Sequence, residues 1–591
     1  MNDSAEKFDP RFRQKLFFWC CAVVSLVALL GRNSLFWVEP RIAEAAREIA
    51  ATGRWYPLTI NFREFSGLPM LEVWSVALLF KLGVSEFAAR LPSALAALAL
   101  LIGTMQLTKR LFDRKTALLT GWLTLGSFGV LYMGRCCGSG VLSGALTIWA
   151  MVLFQRGVGR NSFWMALGMF SLLALGALNR GMSFLWLPAA LMAPWILANR
   201  SRFSWRVAGA AALAALGLYL AWLLIMGEPF SLLARRLWRI MAVEGVWTAL
   251  RRWCGAWWFD RATPLWSVFP DVFSIMLPWS LLMIAAFIGA LCRMRTLQRW
   301  EKCIWAGIVL GFLVLAFPAS VRRTDFLPLV PFLALETGVW VLRGEGGRLS
   351  RWAVVATRAA IVLAASFAAV ALITAPVWRV MLGLELPMLF WTACSVFGGA
   401  VLLIMLLHSS PKHPLPKLTG LPDPLGSMIL GGTLASICLL SFLLPSLREM
   451  REEKQFMISV RSRVAGIAPE RIVNIGGPHS TSLLLFYADL PGRITTVSDR
   501  SDGVPGFVRA TAPYSGQRIA VIAPYHKSEP KFLKSCAEAA KLDIDIEKPD
   551  LLEGVPGGYP FEYRQRALWL TGPGGTGSEK NTQTTGKHSI K

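Results

Sequence analysis

Charged residues are scarce in this sequence. They make up 16% of the 591 residues, whereas hydrophobic residues make up 54%, and the mean hydropathy is +0.50. Soluble proteins typically carry about 25% charged residues. This shortage excludes a soluble globular protein of this size and indicates a polytopic membrane protein.

Histidine is rare too, with five copies, and the ten cysteines form no Cys-x-x-Cys or Cys/His pattern. The sequence therefore gives no sign of a zinc site. The net charge of +25 does not indicate a nucleic-acid partner. Most basic residues lie in short loops between apolar runs, which is the pattern of topology signals and of contacts with anionic lipids. Tryptophan, with 25 copies, is abundant, as in the aromatic belts at the two faces of a membrane.

Apolar runs of about the 20 residues that span a bilayer recur along most of the chain. We predict an all-α polytopic membrane domain over residues 1–446, with about thirteen transmembrane helices. The predicted spans are 16–31, 91–110, 116–133, 141–156, 162–178, 183–197, 206–226, 272–292, 303–319, 324–342, 354–375, 387–407 and 427–446. The first run lacks a small-residue cleavage site, so we expect it to be retained as a span. The short basic loops then all fall on one face, which predicts a cytoplasmic N-terminus and an outer-face tail after about residue 447.

Two predicted outer-face segments, 32–90 and 227–271, have amphipathic helical patterns and are expected to lie in the interface plane. The tail has a different character. Over 447–570, short β-rich runs such as "RIVNIGG", "RITTVSD" and "RIAVIAPY" alternate with helical patterns, which predicts a small outer-face α/β domain. Residues 571–591 have the composition of a disordered end. The turn in "IVNIGGPHSTS" has the shape of a phosphate-binding turn, although glycine turns followed by hydroxyl caps are common in α/β domains.

The stretch "FWVEPRIAEAAREIAATGRW", residues 36–55, predicts an amphipathic helix. Pro40 suits its first turn, and Ile42 and Ile49 belong to an apolar face. The opposite face carries the charged side chains, namely Arg41, Glu44, Arg47 and Glu48. This pattern alone indicates a structural helix at the membrane interface.

Five stretches between residues 30 and 345 follow the order of a known protein family. The stretch "VEPRIAEAAREIAATGRWYPL" is similar to the family's first outer-face loop, and "GVSEFAARLPSALAAL", "ALNRGMSFLWLP", "PWSLLM" and "VRRTDFLPLVPFLAL" follow in the family's order. The family comprises the polyprenyl-phosphate-sugar-dependent transferases, including lipid A aminoarabinose transferases and, more distantly, protein O-mannosyltransferases. The resemblance implies a GT-C-like helical fold in the bacterial inner membrane, with a periplasmic C-terminal domain. It also implies an inverting transfer of a sugar from a polyprenyl-phosphate donor to a periplasmic lipid or glycan acceptor.

The basic positions of the family are largely kept. The resemblance implies that four arginines hold the donor phosphate, namely Arg41, Arg135, Arg180 and Arg322. Arginine can bind a phosphate through two parallel hydrogen bonds, so this retention is chemically sensible. The alternative is that these side chains only reach toward lipid head groups.

The acidic positions are mostly lost. Val38 stands at the leading aspartate of the family's Asp-Glu pair, Gly67 and Leu68 stand at a Glu-Lys pair, and Gly140 stands at a second acid. Glu39 is the carboxylate that remains at a family acidic position, but on a helix it would point about 100° away from residue 38.

A carboxylate base near the acceptor hydroxyl is needed for the transfer. The candidates are Glu39 and two acids that flank the lost motif, Glu64 and Glu72; further outer-face acids are Glu44, Glu244, Asp260 and Asp325. Each of them alone also fits a solvated face or a local ion pair.

Two functional hypotheses therefore stay open: a working glycosyltransferase, and an inactive family member that binds lipid phosphate and acts as a partner or regulator. No resident cofactor is expected. A divalent cation is disfavoured, because Gly67 and Gly140 replace the acids of a family-like metal site.

Overall fold

The structure is a computed structural model. It describes residues 10–31, 34–36, 38–65, 68–138, 140–157, 160, 162–180, 182–200, 204–225, 265–316, 323–343, 351–362, 398–399, 425–438, 454–476, 478–490, 492–497, 503–525, 531–542, 551–553 and 565–571. These residues fall into two compact units. The first lies within Met1–Leu58 and Glu64–Met450, and the second within Thr59–Arg63 and Arg451–Lys591.

The first unit is helical, as predicted. Its helices are α1 (Pro10–Val27), α2 (Glu39–Thr52), α3 (Met70–Phe80), α4 (Glu86–Leu111), α5 (Arg114–Gly126), α6 (Phe128–Gly134), α7 (Val141–Gly157), α8 (Phe163–Arg180), α9 (Trp186–Ala198), α10 (Trp205–Ile225), α11 (Leu265–Ile275), α12 (Ser280–Cys292), α13 (Arg299–Ala316), α14 (Val330–Arg343) and α15 (Leu425–Cys438). Short 3-10 segments at Met182–Leu185 and Arg323–Leu329 precede α9 and α14.

Within the described residues, three helical stretches are long and apolar enough to cross a membrane: Glu86–Leu111, Phe163–Arg180 and Thr324–Arg343. Two bent pairs would bring the number to five. Thirteen spans therefore stay a prediction. Most of the predicted span 387–407 and most of the outer-face segment 227–271 lie outside the described residues.

One predicted span is broken. The run 116–133 forms α5 and α6, which are bent by 61° at Ser127. Ser127 is extended (φ −68°, ψ 133°), and the N–H of Phe128 donates to the carbonyl of Leu277 at 2.7 Å. A helix break at membrane depth needs such a replacement partner, because each freed backbone group is costly to leave without a hydrogen bond.

Small residues let α4 and α7 lie close together. A Cβ on Gly103 of α4 would stand 2.8 Å from Ile148 Cγ2, and one on Gly144 of α7 would stand 2.8 Å from Leu100 Cδ1. In membranes, close packing at small residues is a main source of helix association. This packing fixes the position of the loop that joins α6 to α7.

Helix α2 begins at Glu39 with Pro40 in its first turn, and it ends at Gly53, whose φ is +71°. The sequence predicted a charged face toward the interface. That prediction was wrong for this face, because Glu44 and Glu48 are 0% and 1% exposed. Arg47 compensates the burial of Glu44, since its Nε and Nη2 donate to the two carboxylate oxygens at 2.8 Å each.

The second unit is built around a five-stranded sheet with the order β4-β3-β5-β7-β6. Its elements are α16 (Lys454–Arg463), β3 (Ile472–Ile475), α17 (Pro478–Ala488), β4 (Thr495–Val497), α18 (Gly503–Thr511), β5 (Ile519–Tyr525), α19 (Lys531–Ala540), β6 (Leu551–Glu553) and β7 (Gln565–Thr571). Strand β3 pairs in parallel with β4 and β5, whereas β7 runs antiparallel to β5 and β6.

Apolar side chains project from both faces of this sheet. Ile472 of β3 packs in one cluster with residues of α16 and α17, whereas Val473 and Ile475 pack in another with residues of α18 and α19. Strands covered on both faces read as near-continuous apolar runs, which is why "RIVNI" and "RIAVI" stand out in the sequence.

The hairpin of β1 (Thr59–Ile60) and β2 (Arg63–Glu64) contributes residues 59–63 to the second unit. Asn61 holds them there: its Nδ2 donates to the carbonyl of Ile494 at 2.8 Å, and its Oδ1 accepts from the Ile494 N–H at 2.9 Å.

The turn after β3 has the predicted glycine, Gly476, with φ +154°. Beside it, Asn474 Nδ2 donates to Thr481 Oγ1 in α17 at 3.0 Å. A bound phosphate at this turn stays a prediction.

Candidate functional site

Glu39 is buried and surrounded by hydrogen-bond donors. It is 2% exposed, and Arg90 Nε and Nη2 donate to its two oxygens at 2.8 Å each. The N–H groups of Cys137 and Phe36 donate to the same oxygens at 2.9 and 2.8 Å. Burial alone would raise the pKa of Glu39, but Arg90 and the backbone donors outweigh it, so this pKa lies below its ordinary value. Glu39 thus ties the start of α2 to α4 and to the loop after α6.

Glu72 has a different environment. It lies in the first turn of α3 and is 5% exposed. Asn179 of α8 donates from Nδ2 to Oε1 at 3.3 Å and accepts the N–H of Glu72 at Oδ1, also at 3.3 Å. The other oxygen, Oε2, is buried and has no well-formed hydrogen bond.

Burial raises the pKa of Glu72, and the guanidinium of Arg180, the Asn179 amide and the Gly140 N–H oppose the rise. A buried carboxylate oxygen with unused lone pairs beside a cation can accept a proton from a hydroxyl group placed against it.

Arg180, at the end of α8, forms an ion pair with Asp325. Gly140 lies directly beside Arg180, because a Cβ at residue 140 would stand 1.8 Å from Arg180 Nη2. Gly140 also has φ +81°, a conformation that suits glycine. The guanidinium therefore occupies the space that an acidic side chain at position 140 would need.

The neighbouring Gly138 faces Glu72. A Cβ at Gly138 would stand 3.6 Å from Glu72 Oε2 and 1.8 Å from Ile42 Cδ1, and its φ is +73°. The two glycines thus let this loop lie against both Glu72 and Arg180. We call Glu72, Asn179, Arg180, Asp325 and Gly140 the Glu72 cluster.

Of the other predicted phosphate-binding arginines, Arg135 contacts α1. Arg135 donates from Nη1 to the carbonyl of Ser25 at 2.5 Å, and burial lowers its pKa to about 10, which leaves it cationic at neutral pH. Arg41 is half-buried on α2. Arg322 lies outside the described residues.

The remaining predicted acids are spread out. Glu64 is exposed on β2. Glu244 and Asp260 lie outside the described residues, and Asp325 is the ion-pair partner of Arg180. In the part of the chain that the structure describes, no group of three or more His, Cys, Asp or Glu side chains could hold a metal ion. Independence from a metal stays a prediction.

The sequence analysis missed two residues that matter here, Arg90 and Asn179. Arg90 could have been found, because an arginine inside an apolar helix needs a partner, and Glu39 is the carboxylate that the family motif supplies nearby. Asn179 gave no such signal, since its role depends on the packing of α3 against α8.

Known proteins share this architecture. Residues 68–225 match the family described as dolichyl-phosphate-mannose-protein mannosyltransferase. The chain is similar to ArnT from Cupriavidus metallidurans, whose crystal structure in the apo state aligns with a TM-score of 0.64 and 18% identity over 95% of this chain and 98% of that one. The structure of the same protein bound to undecaprenyl phosphate aligns with a TM-score of 0.64 and 17% identity, over 94% and 97%.

The predicted family resemblance is confirmed. Two curated relatives are undecaprenyl phosphate-alpha-4-amino-4-deoxy-L-arabinose arabinosyl transferases. The protein from Shewanella sediminis is 29% identical over 29% of this chain, and the one from Edwardsiella ictaluri is 28% identical over 55% of it. The matches span 33% and 59% of the lengths of these two relatives. At 17–18% identity the two solved structures show a shared fold.

Proposed function

We propose that this chain is an inverting membrane glycosyltransferase. It would move a sugar from a polyprenyl-phosphate donor to a lipid or glycan acceptor at the periplasmic face of a bacterial inner membrane. The observation that carries the proposal is the Glu72 cluster, where a buried carboxylate oxygen without a well-formed hydrogen bond lies near an arginine at a family phosphate-binding position.

In this mechanism Glu72 Oε2 takes the proton of the acceptor hydroxyl. The hydroxyl oxygen bonds to the anomeric carbon as the bond from that carbon to the phosphate oxygen breaks. Arg180 stabilises the negative charge that develops on the departing phosphate. A single displacement of this kind inverts the anomeric configuration.

Glu72 is a better base in this proposal than Glu39. Each oxygen of Glu39 already accepts two hydrogen bonds, and the pKa of this carboxyl is lowered, so it has little affinity for a further proton. Glu64 is exposed on β2, so its carboxylate lacks the buried environment of Glu72.

The second hypothesis also has an observation in its favour. Val38 and Gly140 cannot accept a proton, and Asp325 already engages Arg180. An inactive protein that binds lipid phosphate and regulates a partner would need the arginines and not the acids.

Turnover of the purified chain in nanodiscs would separate these hypotheses. The protein would be given a panel of radiolabelled polyprenyl-phosphate sugars with a membrane lipid extract. We expect transfer by the wild type and by Glu64→Gln, which serves as the exposed control. Glu72→Gln should lower kcat at least 100-fold, since general-base catalysis contributes about 10²–10⁴-fold.

The pH profile gives a second readout for Glu72. The base acts when ionised, so the rate should fall as the pH drops through a pKa above the ordinary carboxyl value. Donor binding without transfer, weakened by Arg180→Ala, would support the inactive alternative. Transfer by Glu72→Gln at the wild-type rate would refute the assigned role of Glu72.

A further inference from the structure

Each of the three parallel strands of the second unit is preceded by an arginine. Arg471 comes directly before β3, Arg518 directly before β5, and Arg493 two residues before β4. In the sequence, these arginines begin the segments "RIVNI", "RITTV" and "RIAVI". Parallel strands all start at the same end of a sheet, so the three arginines lie at that end, which we call an edge.

The strand register places two of these arginines side by side and the third one residue away. Val473 pairs with Thr495 and Ile472 with Ala520. Extending these registers toward the strand starts sets Arg471 opposite Arg493 and one residue from the level of Arg518. Neighbouring strands lie about 4.8 Å apart, so Arg471 and Arg493 are neighbours on one face of the sheet, whereas Arg518, one residue out of register, belongs to the opposite face at the same end.

Two further contacts hold the starts of β3 and β4 together. Thr495 Oγ1 donates to the carbonyl of Glu470 at 2.8 Å. A Cβ on Gly492 would stand 3.0 Å from Pro469 Cγ, so the loops before the two strands touch.

A fourth arginine reaches the same edge from the hairpin. Asn61 binds both backbone groups of Ile494, which brings Arg63 to the start of β4. Burial and the neighbouring guanidinium of Arg493 lower the pKa of Arg63, as expected when two cations lie near each other. We call Arg63, Arg471, Arg493 and Arg518 the arginine edge.

Within the described residues of its unit, no ion pair neutralises the arginine edge. Arg63, Arg493 and Arg518 are exposed and Arg471 is half-buried. Among the residues that the structure describes in this unit, the ion pair joins Arg461 to Asp489, and no carboxylate lies within pairing distance of the arginine edge. The adjacent acid in the sequence, Glu470, is exposed and does not pair with any of the four.

We infer that the arginine edge binds the phosphates of anionic lipids at the membrane surface. Four guanidinium groups spread over both faces at one end of the sheet, three of them exposed and one half-buried, fit a flat surface that carries many phosphates better than one small anion. Arginine binds phosphate oxygens with two parallel hydrogen bonds. The polypeptide tethers this unit to apolar helices, so lipid head groups are present at a high effective concentration. The inference does not depend on the transfer reaction proposed above.

Hydrogen–deuterium exchange of the full chain in nanodiscs tests this inference. The readout is the exchange rate of the backbone amides in the loops at the arginine edge, residues 464–471 and 512–518. We expect slower exchange there in phosphatidylcholine discs that contain phosphatidylglycerol than in discs of phosphatidylcholine alone. High salt should remove the difference, because it screens the attraction between exposed charges.

Charge removal provides the matched comparison. A basic residue near an anionic membrane surface contributes about fivefold to binding, so Arg471→Gln with Arg493→Gln should weaken the lipid effect roughly 25-fold. Lys454→Gln with Lys534→Gln removes the same charge from the opposite end of the unit, where α16 and α19 begin, and should leave the effect unchanged.

Three results would overturn the inference. The first is equal protection in both types of disc, and the second is a loss of lipid-dependent protection in the lysine double variant as large as in the arginine double variant. The third is the same protection by inorganic phosphate in phosphatidylcholine discs. The last result would assign the arginine edge to a small soluble anion.

Discussion

Gly140→Ala adds one carbon atom to the loop beside Arg180. The new Cβ would stand 1.8 Å from Arg180 Nη2, so the guanidinium must move away. The ion pair of Arg180 with Asp325, whose side chains are 22% and 27% exposed, would be lost or rebuilt. The backbone at this position has φ +81° and would stay strained even after the arginine had moved.

The expected cost follows from these two contributions. A left-handed conformation costs a non-glycine residue roughly 1–2 kcal/mol. The partly exposed ion pair contributes at most about 1 kcal/mol. Gly140→Ala should therefore lower the free energy of unfolding by about 1–3 kcal/mol. In an Arg180→Ala background the same change should cost only the backbone strain, about 1–2 kcal/mol.

Tryptophan fluorescence during titration of the detergent-solubilised chain with sodium dodecyl sulfate would measure these differences. Gly217→Ala is the control, because nothing lies within 4 Å of a Cβ there and alanine suits a helix at least as well as glycine. The reasoning would be refuted if Gly140→Ala behaved like this control. An unchanged cost in the Arg180→Ala background would refute the proposed overlap with the guanidinium.

Three further predictions concern buried or paired charges. Arg90→Met should destabilise the protein by about 3–5 kcal/mol, since it leaves Glu39 charged and buried, and adding Glu39→Gln should recover part of that loss in the same titration. Asp325→Asn should tighten binding of labelled undecaprenyl phosphate about fivefold by freeing Arg180; weaker binding would contradict a phosphate role for that arginine. Burial raises the pKa of Glu44 to about 7, so the neutral form favours folding, and stability should fall by up to about 3 kcal/mol as the pH rises from 4.5 to 7. Glu44→Gln should remove most of this dependence of stability on pH. The same pH profile in the wild type and in Glu44→Gln would refute the role of Glu44.

The helical class and the family could be predicted from the sequence because both rest on long patterns. Apolar periodicity and the order of several motifs survive many substitutions. The β-rich segments of the tail likewise correspond to β3, β4 and β5. Strands covered on both faces need continuous apolar runs, and such runs can be recognised in the sequence.

The arrangement of the site could not be predicted in the same way. Position in a motif suggested Glu39 as a base, but the direction of its side chain depends on Arg90, which lies 51 residues further along the chain. The partner of Glu72 is 107 residues away. The charged face of α2 was assigned to the interface because its periodicity is amphipathic, yet Arg47 neutralises Glu44 within the same turn and allows that face to be buried.

Gly140, Arg180 and Asp325 belong to one physical arrangement. A carboxylate at position 140 would collide with a guanidinium at position 180, so glycine at the first site makes room for arginine at the second. Asp325 then supplies the counter-charge of Arg180. The charge near Glu72 is thus rearranged and not simply removed, since an acid next to α7 is exchanged for one next to α14. Restoring a single family residue, such as Gly140→Asp, should therefore impair this site unless Arg180 is shortened to lysine as well.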